Sequence, residues 1–165
     1  MAIWKAQRTL LIVGEGRTEE AFLNHVKMLY APRGCGLSVS VKNARGKGAK
    51  HVVEWTRRQI ANADFDTVAA MLDTDQDWSE AVARQARAGR IVVLKSEPCF
   101  EALMLRLQGQ NDIGDAKSLK KAFATYVNND ATRPENYARN FDKALLESRR
   151  NQEPTLDSLL KLFGS

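Results

Sequence analysis

The sequence predicts an α/β fold: a mostly parallel central sheet of about four strands flanked by helices, followed by a C-terminal helical extension. Three observations lead there. Short apolar runs alternate with helix-period patterns up to about residue 107. Two of the four runs stop at a glycine or an aspartate, Gly14 and Asp73. Beyond residue 108 the strand signal ends and only helical patterns follow.

The elements read in order as follows. Thr9 to Val13 is short, apolar and bounded by Gly14, the pattern of a buried strand. Thr18 can cap a helix running to Tyr30, with Phe22, Val26 and Leu29 on one face. Pro32, Gly34 and Gly36 break the chain, and Leu37 to Val41 alternates as a half-buried strand does. After a loop with Gly46 and Gly48, helix resumes near Lys50, with Val52, Val53, Thr56 and Ile60 spaced for one face. Thr67 to Leu72 is a third strand, stopped by a run of aspartates. Trp78 to Ala88 reads as helix ended by Gly89. Asp77 is its expected N-cap, with Glu80 as the capping-box partner. Arg90 to Lys95 is a fourth strand, and Pro98 suits the first position of a helix running to about Leu107. Helical patterns follow at Ala116–Val127, Pro134–Arg149 and Thr155–Phe163. Residues 1–107 are therefore expected to form the α/β core. Residues 108–165 are expected to pack on it as a helical extension, within one compact domain.

With 165 residues and 44% hydrophobic content, the chain is of single-domain size and can bury a sizeable core. Its apolar runs are too short to cross a bilayer, so no membrane partner is expected. Residues 1–5 lack the apolar stretch of a secretory signal. Cys35 and Cys99 form neither a disulfide framework nor a metal-ligand spacing, which favours a reducing, cytoplasmic setting. The net charge of +5 suits a polyanionic partner and, equally, plain solubility.

The acids carry the chemistry. Glu15 stands between Gly14 and Gly16 directly after the first strand, and Glu19 lies four residues on, in the first helical turn. Asp73 and Asp75, in "MLDTDQDW", follow the third strand; two residues apart in extended chain, they can face one ion. Glu101, in "SEPCFEALML", opens the helix after the fourth strand. Ligands of a parallel sheet bind outside the carboxyl ends of its strands, where these acids gather. Such a cluster is costly without a counter-ion, and a divalent cation supplies one. An all-oxygen ligand set without Cys or His points to Mg²⁺ or Mn²⁺ rather than zinc.

Each acid also has a plainer reading. Glu19 and Glu20 can simply favour the helix dipole. Asp73 and Asp75 can be turn aspartates. Glu101, on a helix apolar on nearly every side, can pair internally with an Arg or Lys, and Glu97 can cap that helix.

Among the bases, Arg45, Lys47 and Lys50 sit in a glycine-rich loop, "NARGKGAKH", at the carboxyl end of the second strand, where they could hold a phosphate backbone. A solvated loop is the alternative, because the spacing does not match the Walker pattern. Arg17, beside Glu15, joins them as a candidate nucleic-acid contact. Lys95, at a strand end, is a candidate catalytic contact to a scissile phosphate, or else the ion-pair partner of Glu101. Lys120 and Lys121 read as a solvated helix face. His25 and His51 have no cooperating Ser or Cys, so a nucleophilic triad is not supported.

Taken in order, "EGRTEEAF", "DTDQD" and "SEPCFEALML" resemble the topoisomerase–primase (TOPRIM) domain, and within it the RloB-like branch, related to the nuclease domains of overcoming-lysogenization-defect (OLD) proteins. The resemblance spans most of the chain. It implies a TOPRIM-like Rossmannoid core in which Glu15, Glu19, Asp73, Asp75 and Glu101 bind one or two divalent metals, with Glu15, Asp73 and Asp75 catalytic. It also implies nucleic-acid cleavage or nicking, DNA ahead of RNA, in prokaryotic antiviral defence beside an ATPase partner. A basic catalytic residue in the tail is expected as well, commonly a Lys after a Tyr. Here Tyr126 is followed by Val-Asn-Asn, leaving Lys143 or Arg139 as substitutes. Two other readings compete: a catalytically weak nucleic-acid-binding or regulatory subunit of a defence complex, and a metal-dependent phosphohydrolase acting on nucleotides.

Overall fold

In the computed structural model, residues 7–165 are described; the stretch read for a secretory signal, residues 1–5, lies outside them. The first half alternates strand and helix: β1 (Arg8–Gly14), α1 (Arg17–Tyr30), β2 (Leu37–Asn43), α2 (Gly48–Asn62), β3 (Thr67–Asp73), α3 (Glu80–Ala88), β4 (Ile91–Ser96) and α4 (Phe100–Leu107). The tail adds α5 (Ala116–Ala124), a 3-10 turn at Pro134–Tyr137, α6 (Lys143–Arg149) and α7 (Pro154–Leu162).

The four strands form one all-parallel sheet in the order β2-β1-β3-β4. From β1 the chain moves outward to β2, then returns past β1 to lay down β3 and β4. The strand order therefore reverses between β1 and β3, and a crevice opens at their carboxyl ends. No helix among the described residues is long and apolar enough to cross a membrane.

Side chains alternate between the faces of the sheet, and each face builds its own core. Leu10, Ile12, Ala69, Met71 and Leu94 pack under α1, α4 and the tail helices. Leu11, Val13, Val68, Ala70 and Leu72 pack under α2 and α3. The tail belongs to the first core: Phe123, Tyr137, Phe141, Leu146 and Leu159 are buried in one cluster with the sheet residues. Aromatic edges lock this together. Phe22 of α1 lies 5.6 Å from Phe100 of α4, Phe100 lies 5.8 Å from Phe123 of α5, and Tyr137 lies 5.6 Å from Phe141, measured between ring centroids.

Several boundaries differ from the sequence reading, each for a local reason. Helix α1 is not capped by Thr18: Gly16 is the N-cap, and its amide donates to Glu19 Oε2 at 2.9 Å. Helix α3 is capped by Ser79, whose Oγ accepts from the Val82 amide at 3.2 Å. Asp77 lies two residues further back with φ 59°, outside any cap geometry, and Trp78 precedes the helix. Pro98 does not open α4, because Cys99 is its N-cap. Glu97 does not cap it either; its carboxylate pairs with Lys95 at 3.4 Å. The cap comes instead from Asp73 Oδ1, which accepts the Phe100 amide at 2.9 Å. Helix α5 stops at Ala124, and Asn128 and Asn129, with φ 53° and 61°, turn the chain away. The pattern over 134–149 is not one helix. It splits at Asp142, which caps α6 by accepting the Leu145 amide at 2.9 Å.

Candidate metal centre

The switch-point crevice is built by two tight approaches. At Gly14, the last residue of β1, a Cβ would lie 2.9 Å from Glu19 Cβ and 3.0 Å from the Glu20 amide nitrogen. Only glycine lets the first turn of α1 sit directly on the strand end, and that brings Glu19 back over Glu15. The Glu15 backbone is fixed on both sides: its amide donates to Met71 O at 3.0 Å, and its carbonyl accepts from the Gly46 amide at 2.6 Å. On β3, Asp73 is held by the Phe100 amide described above. Thr74 and Asp75 then donate to the Pro98 carbonyl at 3.1 and 3.0 Å.

The result is that carboxylate oxygens of Glu15, Glu19 and Asp73 all lie within 4.8 Å of one another. They line a cavity of about 530 Å³ that Asp75 and Glu101 also line. Among the described residues none of these five acids takes part in an ion pair.

Burial and mutual repulsion hold protons on the cluster. Glu15 is raised above the usual carboxylate range by burial and by the charge of Asp75. Glu19, only 7% exposed, is pushed up to about 7, mainly by burial, with Glu15 and Glu101 adding to it. Asp73 is pushed up to about 9 by burial, then by the charges of Glu19, Glu15, Glu101 and Asp75. A group of carboxylates that resists ionisation, lacks a cationic partner and offers only oxygen donors fits a hard divalent cation. Cys99, also on the cavity wall, has its thiol raised to about 11 by burial and is no ready nucleophile.

The five predicted ligands thus share one cavity, but not equally. Glu15, Glu19 and Asp73 form the tight group. Asp75 is exposed at the rim, because the chain bends at Thr74–Asp75 and does not continue the extended alternation that would align it with Asp73. Glu101 is half-buried and faces the cavity, and among the described residues it has no Arg or Lys partner of the kind considered for it.

Lys95 stands elsewhere. In the β3–β4 register it sits beside Leu72, whose side chain faces the α2/α3 core, while Asp73 pairs with Ser96. The two-residue period therefore turns Lys95 to the opposite sheet face from Asp73. Its Nζ lies 5.8 Å from the Trp78 ring centroid as well as beside Glu97, in place of any contact with Glu101.

Arg17 lines the cavity. Arg45, Lys47 and Lys50 are exposed at the same edge of the sheet but do not line it. Lys143 lies over the Tyr30 ring at 4.9 Å, at the far end of α1. At ~1.5 Å rise per residue, that is roughly 16 Å along the helix from Glu19. Arg139 is exposed and also away from the cavity.

The base of the tail that reaches the cavity is Lys120, read from sequence as a solvated face. Ala116, Lys120, Phe123 and Ala124 of α5 form one wall, and Asn129 and Ala131 continue it. Their helical spacing was visible in the sequence; the docking of α5 over the strand ends was not. His25 and His51 serve backbone carbonyls: their Nε2 atoms lie 2.6 Å from Phe141 O and 2.9 Å from Ala44 O.

Fold and site together define an α/β protein with a carboxylate cluster at the switch point of a parallel sheet. Residues 10–158 match the model of the family described as RloB-like protein, and the chain belongs to that family. No curated protein and no solved structure gives a match.

Proposed function

We propose that the protein is a divalent-metal-dependent nuclease that cleaves or nicks the phosphodiester backbone of nucleic acid. The observation that carries this reading is the approach of the Glu15, Glu19 and Asp73 carboxylates to within 4.8 Å, with no cationic residue paired to them among the described residues. Those three residues would hold Mg²⁺ or Mn²⁺, with Asp75 and Glu101 available from the rim. The metal, when bound, polarises the scissile phosphate and lowers the pKa of an attacking water.

The rest falls to the chain's own residues. Gly14 sets the closeness of Glu19 to Glu15. The Phe100 amide fixes one oxygen of Asp73 and leaves the other for the cavity. Arg17 and Lys120 bring positive charge to the lining of the acidic cavity, suited to a phosphate entering from solvent. The basic loop at Arg45, Lys47 and Lys50 can take flanking phosphates along the same edge. The TOPRIM relation, the preference for DNA, the antiviral setting and the ATPase partner rest on the sequence resemblance alone.

A plasmid nicking assay tests the reading. Supercoiled DNA should be converted to open circles in Mg²⁺ or Mn²⁺ and not in EDTA, and Asp73→Asn should abolish conversion. Unchanged plasmid in both metals would sink it. Retained salt-sensitive DNA binding in that case would favour a binding or regulatory subunit, and turnover of mononucleotides alone a phosphohydrolase.

A further inference from the structure

On the face of the sheet opposite the acidic cavity lies a second groove, of about 340 Å³, between α3 and the edge strand β4. Its apolar lining is Trp78, Ile91 and Val93, and its polar rim is Lys95, Arg87 and Glu80. Trp78 is half-buried: it packs against the α2/α3 core and lines the groove. Lys95 Nζ lies over the indole ring, 5.8 Å from its centroid, on an exposed side chain that an incoming base can displace. An aromatic face with a cation beside it is the arrangement that takes a nucleobase by stacking and its phosphate by charge.

The two cavities share a loop. Asp73, Asp75 and Gln76 line the acidic cavity, and Trp78 lines the groove. The five steps of chain from Asp73 to Trp78 span at most about 18 Å, the rise of roughly five nucleotides at ~3.4 Å each. A strand whose phosphate lies at the carboxylates can therefore cross this loop and reach the Trp78 indole. The acids of the groove do not block it: Glu80 is held by Arg87 at 2.8 Å, and Glu97 by Lys95 at 3.4 Å. Both pairs are exposed, and exposed pairs exchange for a phosphate at little cost.

We infer that Trp78 and Lys95 form a flanking subsite that stacks an unpaired nucleobase, so that the substrate is single-stranded or locally unpaired nucleic acid. The inference rests on the reading of the acidic cavity as the place where the phosphodiester is held. A base within a duplex already stacks on its neighbours and cannot lie on Trp78, so only an unpaired strand gains from this groove.

The test is fluorescence anisotropy with a fluorescein-labelled twelve-residue oligothymidylate and a twelve-base-pair duplex, in Ca²⁺ buffer, using the full chain. Trp78→Ala should weaken single-strand binding roughly 5- to 150-fold, the range for losing one stacked base. Duplex binding should stay within about twofold. Trp78→Phe keeps a ring and should hold the affinity, which covers the case in which the alanine variant fails to fold. In the wild type, oligothymidylate should also quench tryptophan fluorescence, and Trp78→Phe should remove that quenching while Trp4 and Trp55 remain.

Equal single-strand affinity in wild type and Trp78→Ala would overturn the inference. So would wild-type protein that ignores oligothymidylate, and the groove would then fit a protein segment instead. Normal nicking with Trp78-independent binding removes this inference and leaves the nuclease reading. Trp78-dependent binding without any metal-dependent cleavage does the reverse.

Discussion

The Asp73 carboxylate accepts the Phe100 amide at 2.9 Å, so the acid that ends β3 is also the cap of α4. One side chain thus carries two loads of opposite sign. The cap stabilises the helix, and the crowding with Glu19 and Glu15 destabilises the ionised cluster.

Separating the two loads is a matter of choosing the replacement. Asp73→Asn keeps an oxygen acceptor for the Phe100 amide and removes the ionisable group that the folded chain must hold protonated. Asp73→Ala removes both. In EDTA at neutral pH, Asp73→Asn should melt at or above the wild-type temperature. Asp73→Ala should be less stable than Asp73→Asn by about 1 kcal/mol, the usual worth of an N-cap. Equal melting of the two variants would show that the cap carries no energy.

The acid cluster sets the alkaline side of the stability profile. Glu19 titrates near 7 and Asp73 near 9 in the folded chain, both above their ordinary values. The folded state therefore keeps protons that the unfolded chain has already released. Stability from this source is fully present below the unfolded carboxylate pKa values and is lost as pH rises through about 7 and then about 9. Metal-free protein should melt at falling temperature from pH 6 to pH 9, and the stabilisation by Mn²⁺ should grow over the same interval. Calorimetry in EDTA and in Mn²⁺ checks both. A metal-free melting temperature that is flat or rising would contradict the buried cluster.

His25 acts on the acid side. It is 1% exposed, its Nε2 lies 2.6 Å from Phe141 O, and its Nδ1 is buried without a partner. Burial lowers its pKa. The unfolded chain takes up a proton that the folded chain resists, so stability is lost as pH falls below the ordinary histidine value of about 6.5. Urea denaturation at pH 7 and pH 5 should show a larger acid loss in wild type than in His25→Gln. Equal losses would place the acid sensitivity elsewhere.

Gly14 is the steric hinge of the centre. A methyl group there would stand 2.9 Å from Glu19 Cβ and 3.0 Å from the Glu20 backbone nitrogen, atoms that cannot move without the helix. Gly14→Ala should cost about 1–3 kcal/mol through forced displacement of α1. It should also weaken Mn²⁺ binding in titration calorimetry, because Glu19 moves with the helix. Wild-type stability and affinity in Gly14→Ala would mean that Glu19 is placed by something other than this contact.

The sheet and the acids at its carboxyl edge could be read from the chain because both are local signals. Strand periodicity marks where β1 and β3 end, and Glu15 and Asp73 stand at those ends. What could not be read depends on contacts distant in sequence. The face taken by Lys95 follows from its register beside Leu72. The place of Glu101 on the cavity wall and the arrival of Lys120 follow from how α5 docks across the strand ends, through Phe123 against Phe100. Helix caps fell between these cases. Ser79 was adjacent to α3 and available, but the cap of α4 came from Asp73, 27 residues earlier.

Anomalous scattering from a crystal grown with Mn²⁺ addresses the metal centre itself. A peak within coordination distance of carboxylate oxygens from Glu15, Glu19 and Asp73 is expected, and it should vanish in Asp73→Asn crystals grown the same way. Density at these carboxylates with no anomalous signal, from protein saturated with Mn²⁺, would contradict a metal centre and with it the nuclease reading.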